Sequence, residues 1–214
     1  MNGPAFLVGF AAEARIARGA GWKVGIGGGT AWGATMAARR LIAGGATGLV
    51  SFGLAGGLDP ALPAGTVLVP ETVLALGRSW PTDATLAARF GGTNTRSCLA
   101  TDRIVASRAE KRCLWRDTGA ACVDMESGAG AAAAAAAGLP FAVLRAICDP
   151  ADRDLPAAAL IALDAAGRLA VGALLSALLR NPLQIPPLIG LARDAAKARR
   201  ALTDRIAPIV AARR

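Results

Sequence analysis

Residues 138–152 read GLPFAVLRAICDPAD, and this stretch indicates the fold more directly than any other part of the chain. Its apolar run, residues 141–147, has the length and composition of a buried strand. A carboxylate, Asp149, follows that run and is itself followed by Pro150. We therefore predict a buried strand that carries an acidic side chain to the edge of a sheet.

Further strands and helices alternate on both sides of this stretch. The predicted strands are residues 5–10, 22–26, 48–52, 66–69, 71–75, 120–125 and 141–147. The predicted helices of this part are residues 30–42, 108–118 and 127–137. Residues 77–99 show little periodicity and are predicted to be rich in loops. The alternation is typical of a single α/β domain in which helices flank a mixed central sheet.

The C-terminal part has a different pattern. Helices are predicted at residues 156–163, 167–179 and 187–205, separated by turn residues. We divide the chain into an α/β core, residues 1–155, and a C-terminal helical extension packed on it, residues 156–214. Apolar side chains with basic residues beside them suit packing within the molecule or a dimer, and also suit a helix lying on a membrane surface.

Composition limits the possible functions. The 214 residues carry a net charge of +9, which favours anionic partners. They include no histidine, and the four cysteines lack metal-binding spacing, so a zinc site or a histidine-based triad is not expected. We expect reduced thiols, no secretory signal and no uninterrupted apolar run of about 18 residues that could span a membrane. These expectations describe a cytoplasmic protein, with peripheral contact at the inner membrane left open.

Glycine clusters follow two of the predicted strands, at residues 25–29 (GIGGG) and 53–57 (GLAGG). Glycine lets backbone N–H groups approach a ligand at the carboxyl end of a strand. The first cluster suits either a dinucleotide-binding loop or a tight turn. A ribose-binding dinucleotide site needs an acidic residue about 20 positions further on at a strand end, and none is found there.

Four segments in order resemble the nucleoside phosphorylase and nucleosidase superfamily, which includes the methylthioadenosine/S-adenosylhomocysteine nucleosidases. They are residues 51–58 (SFGLAGGL), 63–70 (PAGTVLVP), 123–127 (VDMES) and 145–152 (RAICDPAD). Together with the tail LLRNPLQIPPLIGLARDA, they look most like the hopanoid-associated phosphorylases. The resemblance implies a phosphorylase/hydrolase-like fold and release of adenine from a 5′-substituted adenosine, namely adenosylhopane, in hopanoid side-chain biosynthesis.

The resemblance also assigns roles at the purine. Asp149 corresponds to the acid that protonates or hydrogen-bonds purine N7, which lowers the barrier to departure of the base. Its usual serine partner is replaced by Cys148. Ile104 occupies the position of a base-stacking phenylalanine, and the backbone of Val105 is expected to contact the purine edge.

A second set of roles concerns the sugar. Glu126 corresponds to the carboxylate that binds the ribose hydroxyls, and Met125 to the residue packed against the ring. Ser51 and Gly53 belong to the glycine-rich sugar loop. Arg145 lies inside an apolar strand, and we expect it to pair with an acidic residue rather than with the substrate.

The acceptor of the glycosyl group is left open between phosphate and water. Glu13 matches the nucleosidase glutamate that orients water, and Ser51 stands where phosphorylases place a phosphate-binding arginine. Other arginines could build a phosphate site of another shape, namely Arg15, Arg18, Arg39 and Arg145. The subfamily resemblance favours phosphate as a co-substrate, and no metal or redox cofactor is implied.

Other function classes are kept beside this interpretation. A water-using nucleosidase acting on methylthioadenosine or S-adenosylhomocysteine is one alternative, and a non-catalytic nucleotide-binding module is another. A basic protein that binds membrane or nucleic acid is a third, with nucleic acid ranked last because RNA-binding aromatic clusters are absent. The expected partners are a nucleoside with an apolar 5′ group and further copies of the chain in a homo-oligomer, with possible membrane contact through the C-terminal helices.

Overall fold

The structure is a computed structural model, and it describes residues 3–161 and 180–211. The strands are β1 Ala5–Val8, β2 Lys23–Ile26, β3 Leu49–Gly57, β4 Val67–Leu68, β5 Pro70–Ala75, β6 Arg78–Pro81, β7 Thr95–Ala100, β8 Cys122–Asp124 and β9 Phe141–Asp149. The helices are α1 Ala11–Arg18, α2 Ala31–Ala43, α3 Ala84–Ala88, α4 Arg108–Thr118, α5 Ser127–Ala136, α6 Ala157–Ile161 and α7 Ile185–Ala211, with a 3-10 turn at Pro182–Gln184.

The strands form one mixed sheet, which confirms the predicted single α/β domain flanked by helices. Strand β3 lies at its centre and runs parallel to both β1 and β9. The pairing of β3 with β9 shifts by one position between Ala55 and Gly56, and this irregularity brings Gly56 opposite Asp149. The last two residues of β3 pair antiparallel with β8. These pairings bring the ends of β3, β8 and β9 together.

Two cores cover the faces of the sheet and explain the composition. One is built from large aromatic side chains against α7, with Phe6 and Trp22 stacked at 4.9 Å between ring centroids. The other packs α2 and α5 against the sheet through alanines such as Ala34 and Ala131. Small side chains allow helices to approach a sheet closely, so the alanine-rich run is a packed helix, as its composition predicts.

Three parts of the fold differ from the sequence predictions. Residues 77–99 contain β6, α3 and β7 rather than mostly loop, because Asp83 caps α3 and β7 pairs between β5 and β8, contacts that leave no periodicity in the sequence. The eight-residue helix α1 was not predicted. Strand β3 continues through the glycines to Gly57, beyond the predicted end at residue 52.

The C-terminal predictions are partly tested. Helix α7 is longer than the predicted residues 187–205, since Pro186 and Pro187 fit in its first turn, where no backbone N–H bond is lost. Helix α6 covers part of the predicted residues 156–163, whereas the predicted helix at residues 167–179 lies outside the described residues. In the described ranges, none of the helices has both the length and the hydropathy needed to cross a membrane.

Candidate active site

Three buried acidic residues mark the candidate site near the carboxyl ends of β1, β3 and β9. Glu13 lies in α1 directly after β1, Glu126 follows β8, and Asp149 ends β9. Because β1, β3 and β9 are parallel, their carboxyl ends meet at one edge. The exposed fractions of Glu13, Glu126 and Asp149 are 4 %, 6 % and 7 %. Carboxylates buried to this extent need specific partners.

Glu13 is held by backbone N–H groups from two elements. Its Oε2 accepts hydrogen bonds from Gly9 at 2.9 Å and Phe10 at 3.0 Å, and its Oε1 accepts one from Leu54 at 2.7 Å. Burial raises the pKa of Glu13, and the effect is opposed by Arg145 and by these N–H groups. A rigid carboxylate whose pKa is raised accepts a proton more readily than an ordinary glutamate.

Arg145 is fully buried inside β9 and connects several polar side chains. Its Nε lies 2.7 Å from Oδ2 of Asp124, and its Nη2 lies 3.0 Å from Oε2 of Glu126. Nη2 also donates to Oγ of Ser51 at 2.7 Å, and Nη1 donates to the carbonyl of Leu54 at 3.2 Å. The predicted pairing of Arg145 with an acidic residue is confirmed. Ser51 is one of its hydrogen-bond acceptors.

Asp124 is a central part of this cluster that the sequence analysis did not single out. Its Oδ1 accepts hydrogen bonds from the N–H groups of Glu126 at 3.1 Å and Ser127 at 2.9 Å, at the start of α5. The hydroxyl of Ser127 contacts Oδ2 of Asp124 and lies 2.9 Å from Oγ of Ser51. The position of Asp124, last in β8 and shortly before α5, is the signal that could have identified this residue.

Arg145 faces three carboxyl groups, and this imbalance affects their ionisation. Burial, which Arg145 opposes and the carboxylates of Asp124 and Glu13 reinforce, raises the pKa of Glu126 to about 7. Burial alone lowers the pKa of Arg145, but the surrounding carboxylates raise it above its ordinary value. The guanidinium therefore stays charged, and Glu126 exchanges a proton near neutral pH.

Asp149 has a different partner. Nζ of Lys111, on α4, lies 2.7 Å from Oδ2 of Asp149. Burial raises the pKa of Asp149, and Lys111 lowers it. Burial, followed by the carboxylates of Asp149 and Glu13, raises the pKa of Cys148 to about 12, so this thiol is neutral. Lys111, which the sequence analysis did not identify, is thus the charged neighbour of Asp149.

Two glycines allow the carboxylates to come this close to the backbone. A Cβ atom on Gly9 would lie 2.8 Å from Oε1 of Glu126 and 3.2 Å from Oε2 of Glu13. A Cβ atom on Gly53 would overlap Oε1 of Glu13 and lie 2.8 Å from Nη1 of Arg145. The glycine-rich segment is required here because Glu13 and Arg145 occupy the space that a side chain would fill.

The remaining predicted site residues are Met125, Ile104 and Val105. Met125, between Asp124 and Glu126, is half-buried. Ile104 lies in the loop between β7 and α4 and is 45 % exposed. Val105 is buried in a small apolar cluster, which leaves only its backbone for the predicted purine contact.

The arginines considered for phosphate do not converge on the carboxylates. Arg15, Arg18 and Arg39 are exposed. Arg15 lines an open groove of about 620 Å³ between α1 and α7, together with Arg199 and Arg200. The fourth candidate, Arg145, forms ion pairs with Asp124 and Glu126. Within residues 3–161 and 180–211, the carboxylate cluster is therefore without an uncommitted arginine.

Comparisons with known proteins agree with this fold. The sequence matches the phosphorylase superfamily over residues 19–180, and no curated protein matches it. A mutant of the Helicobacter pylori nucleosidase MTAN, with 5′-methylthioadenosine in its active site, is similar with a TM-score of 0.68 at 16 % identity, over 97 % of this chain and 99 % of that one. Futalosine hydrolase of Helicobacter pylori is similar with a TM-score of 0.66 at 17 % identity, over 97 % of this chain and 98 % of that one. S-adenosylhomocysteine nucleosidase of Streptococcus pyogenes is similar with a TM-score of 0.63 at 18 % identity, over 71 % of this chain and 86 % of that one.

The structural likeness at these identities concerns the fold, whereas the sequence match identifies the family. The matched residues 19–180 include Glu126 and Asp149 and begin after Glu13. They make up most of the chain and contain the central strands β3, β8 and β9. The chain therefore belongs to the phosphorylase superfamily.

Proposed function

We propose that this protein cleaves the N-glycosidic bond of a purine nucleoside and releases adenine. The observation that carries the proposal is the placement of Asp149 at the end of β9, beside the buried edge that also holds Glu13 and Glu126. A departing purine needs a proton, and a developing positive charge on the sugar needs carboxylates nearby. The three side chains supply both.

The proposed reaction assigns one role to each carboxyl group. The carboxyl proton of Asp149 passes to purine N7, and the electron pair of the C1′–N9 bond leaves with the base as neutral adenine. Glu126 accepts hydrogen bonds from ribose hydroxyls and stabilises the cationic sugar. Water then attacks C1′, and its proton passes to Glu13.

Water is the acceptor that this site favours. Glu13 is fixed by three backbone N–H groups and its pKa is raised, which suits a base that activates water. Phosphate binding would need cationic side chains, and the one guanidinium in the described cluster is bound by Asp124 and Glu126. Phosphate, which the subfamily resemblance favours, is kept as the second candidate.

The proposed substrate is an adenosine whose 5′ carbon carries an apolar group, with adenosylhopane as the specific candidate. The structurally similar Helicobacter pylori MTAN holds 5′-methylthioadenosine and a butylthio-substituted analogue. A substrate with a large apolar 5′ group would be taken from a membrane. Near the start of α7, three exposed apolar side chains form the surface that we propose contacts the membrane peripherally, namely Leu183, Ile185 and Ile189. A homo-oligomer is part of the same proposal, by resemblance.

The test incubates purified protein with 5′-methylthioadenosine and with an adenosine carrying a longer 5′-alkyl chain, each with and without phosphate. Chromatography measures free adenine, and the sugar product is analysed as the free sugar or the sugar 1-phosphate. Free sugar in the absence of phosphate supports the hydrolase. Adenine released only with phosphate makes the enzyme a phosphorylase, and binding of nucleoside without base release overturns the catalytic proposal.

A further inference from the structure

Lys111 is a buried cation on a helix whose other charged residues mostly face solvent. Its side chain has no exposed surface. It shares a helical face with Leu114 and Thr118, which are half-buried, whereas its neighbour Arg112 is exposed. Removing an ammonium group from water is unfavourable unless it is paired and hydrogen-bonded. A lysine on this face therefore needs a reason beyond packing.

The three N–H donors of Lys111 have three acceptors, all from the end of β9 and the turn that follows. Nζ lies 2.7 Å from Oδ2 of Asp149 and donates to the carbonyl oxygens of Pro150 at 3.0 Å and Arg153 at 2.9 Å. One cation thus fixes both the carboxylate proposed to act on the base and the backbone on its C-terminal side.

The contacts of Asp149 are asymmetric. Oδ2 is bound by Lys111, whereas Oδ1 has no hydrogen-bond partner in the part of the chain that the structure describes. A second link, from the N–H of Arg108 to Oδ1 of Asp154 at 2.7 Å, already ties α4 to this turn. The ammonium group is therefore not needed merely to attach the helix, and its particular contribution is the contact with Asp149.

We infer that Lys111 is a positioning residue for base release: its ammonium group fixes Oδ2 of Asp149 and the following turn, and leaves Oδ1 to deliver the proton to the base. This inference rests on the proposed function. It predicts that Lys111 acts through Asp149, so that its effect on the rate depends on the presence of that carboxyl group.

The same geometry predicts a change in the pH profile. The charged and titratable groups around Asp149 are Lys111 from α4, Arg153 and Asp152 from the turn, and Cys148 from β9. Lys111 and Arg153 lower the pKa of Asp149, and Asp152 raises it. Loss of Lys111 raises that pKa further, so the rate, which falls as Asp149 loses its proton, should persist to higher pH.

The test compares Lys111→Met with Arg112→Met, an exposed control one position along α4. With 5′-methylthioadenosine as substrate, we expect Lys111→Met to lower kcat about tenfold or more at neutral pH, with KM changed much less, and to move the alkaline limb of kcat to higher pH. In an Asp149→Asn background, Lys111→Met should cause no further loss of kcat.

Three outcomes distinguish a failure of the role inferred for Lys111 from a failure of the proposed function. Equal losses in both backgrounds with an unmoved alkaline limb would show a structural role only and overturn the inference. An active wild type with Lys111→Met equal to Arg112→Met would overturn it as well, leaving the proposed function intact. A wild type that releases no base from any nucleoside contradicts the proposed function and the inference with it. If Lys111→Met does not fold, as judged by circular dichroism, Lys111→Gln takes its place.

Discussion

Nη2 of Arg145 lies 3.0 Å from Oε2 of Glu126, and the same guanidinium also binds Asp124. The proposed sugar-binding carboxylate is thus held by a cation that is itself fully buried in the central strand β9. Glu13 accepts one of its hydrogen bonds from the backbone of β3, which runs beside β9, so adjacent strands contribute to the orientation of both carboxylates. This arrangement explains why an arginine lies within an apolar strand.

Replacing Arg145 should destabilise the protein strongly. Arg145→Met would leave the carboxylates of Asp124, Glu126 and Glu13 buried without their cation, and breaking a buried ion pair on one side costs about 3–5 kcal/mol. Urea unfolding measures the loss. Arg112→Met, an exposed change on α4, is the control and should cost well under 1 kcal/mol. Equal stability of the two variants would contradict the buried network.

Stability should depend on pH through Glu126. Its pKa is about 7 in the folded protein, against 4.5 for an unperturbed glutamate, so the folded state binds the proton more tightly. The contribution of this group to the free energy of unfolding is therefore fully present below the lower value and is lost as pH rises towards 7. Glu126→Gln should lose less stability than wild type between pH 5 and pH 8 in urea unfolding. Parallel pH dependences of the two proteins would refute the raised pKa.

Gly53 should tolerate no side chain. In Gly53→Ala the new Cβ would overlap Oε1 of Glu13, and the backbone at this position, with φ of +156°, adds strain. We expect a loss of stability of about 1–3 kcal/mol and a fall in kcat, because the carboxylate must move. Gly3→Ala is the matched control, since a Cβ there meets nothing within 4 Å. Unchanged kcat and thermal midpoint in Gly53→Ala would argue against the observed position of Glu13.

Glu13→Gln tests the proposed base directly. The amide is similar in size but cannot take a proton from water, so we expect kcat of hydrolysis to fall about 100-fold, with a smaller effect on KM. Kinetics of adenine release measure both constants. Glu71→Gln, on an exposed position of β5, controls for loss of a carboxylate elsewhere. If Glu13→Gln keeps full hydrolytic activity, water is not activated by this residue.

The sequence predicted where Asp149 and Glu126 lie in the fold, because each follows a predicted strand. The predicted strand before Asp149 corresponds to β9, which ends at Asp149, and the predicted strand before Glu126 corresponds to β8, which ends two residues before Glu126. The partners were harder to identify: a lysine in the charged helix α4 suggests a solvent-facing residue, and only the helical face that it shares with Leu114 indicated burial. Pairing between distant segments leaves no local pattern.

In the fold as well, some elements that depend on pairing between distant segments were not predicted from the sequence. The strands with continuous apolar runs, such as β1 and β9, were predicted within a few residues. Strand β7 was missed because Thr95 and Arg96 interrupt its apolar pattern and its order comes from pairing with β5 and β8. The continuation of β3 through Gly53 was missed because glycines indicate a turn, whereas Gly53 makes room for Glu13 within the strand.

The most direct test of the central claim is release of adenine by Asp149→Asn compared with wild type. Asp204→Asn, at an exposed position of α7, is the control. With 5′-methylthioadenosine as substrate, we predict that Asp149→Asn loses adenine release by about 100-fold or more while Asp204→Asn stays near wild type. Equal rates of adenine release by wild type and Asp149→Asn would contradict the assignment of Asp149 as the acid that helps the base to leave.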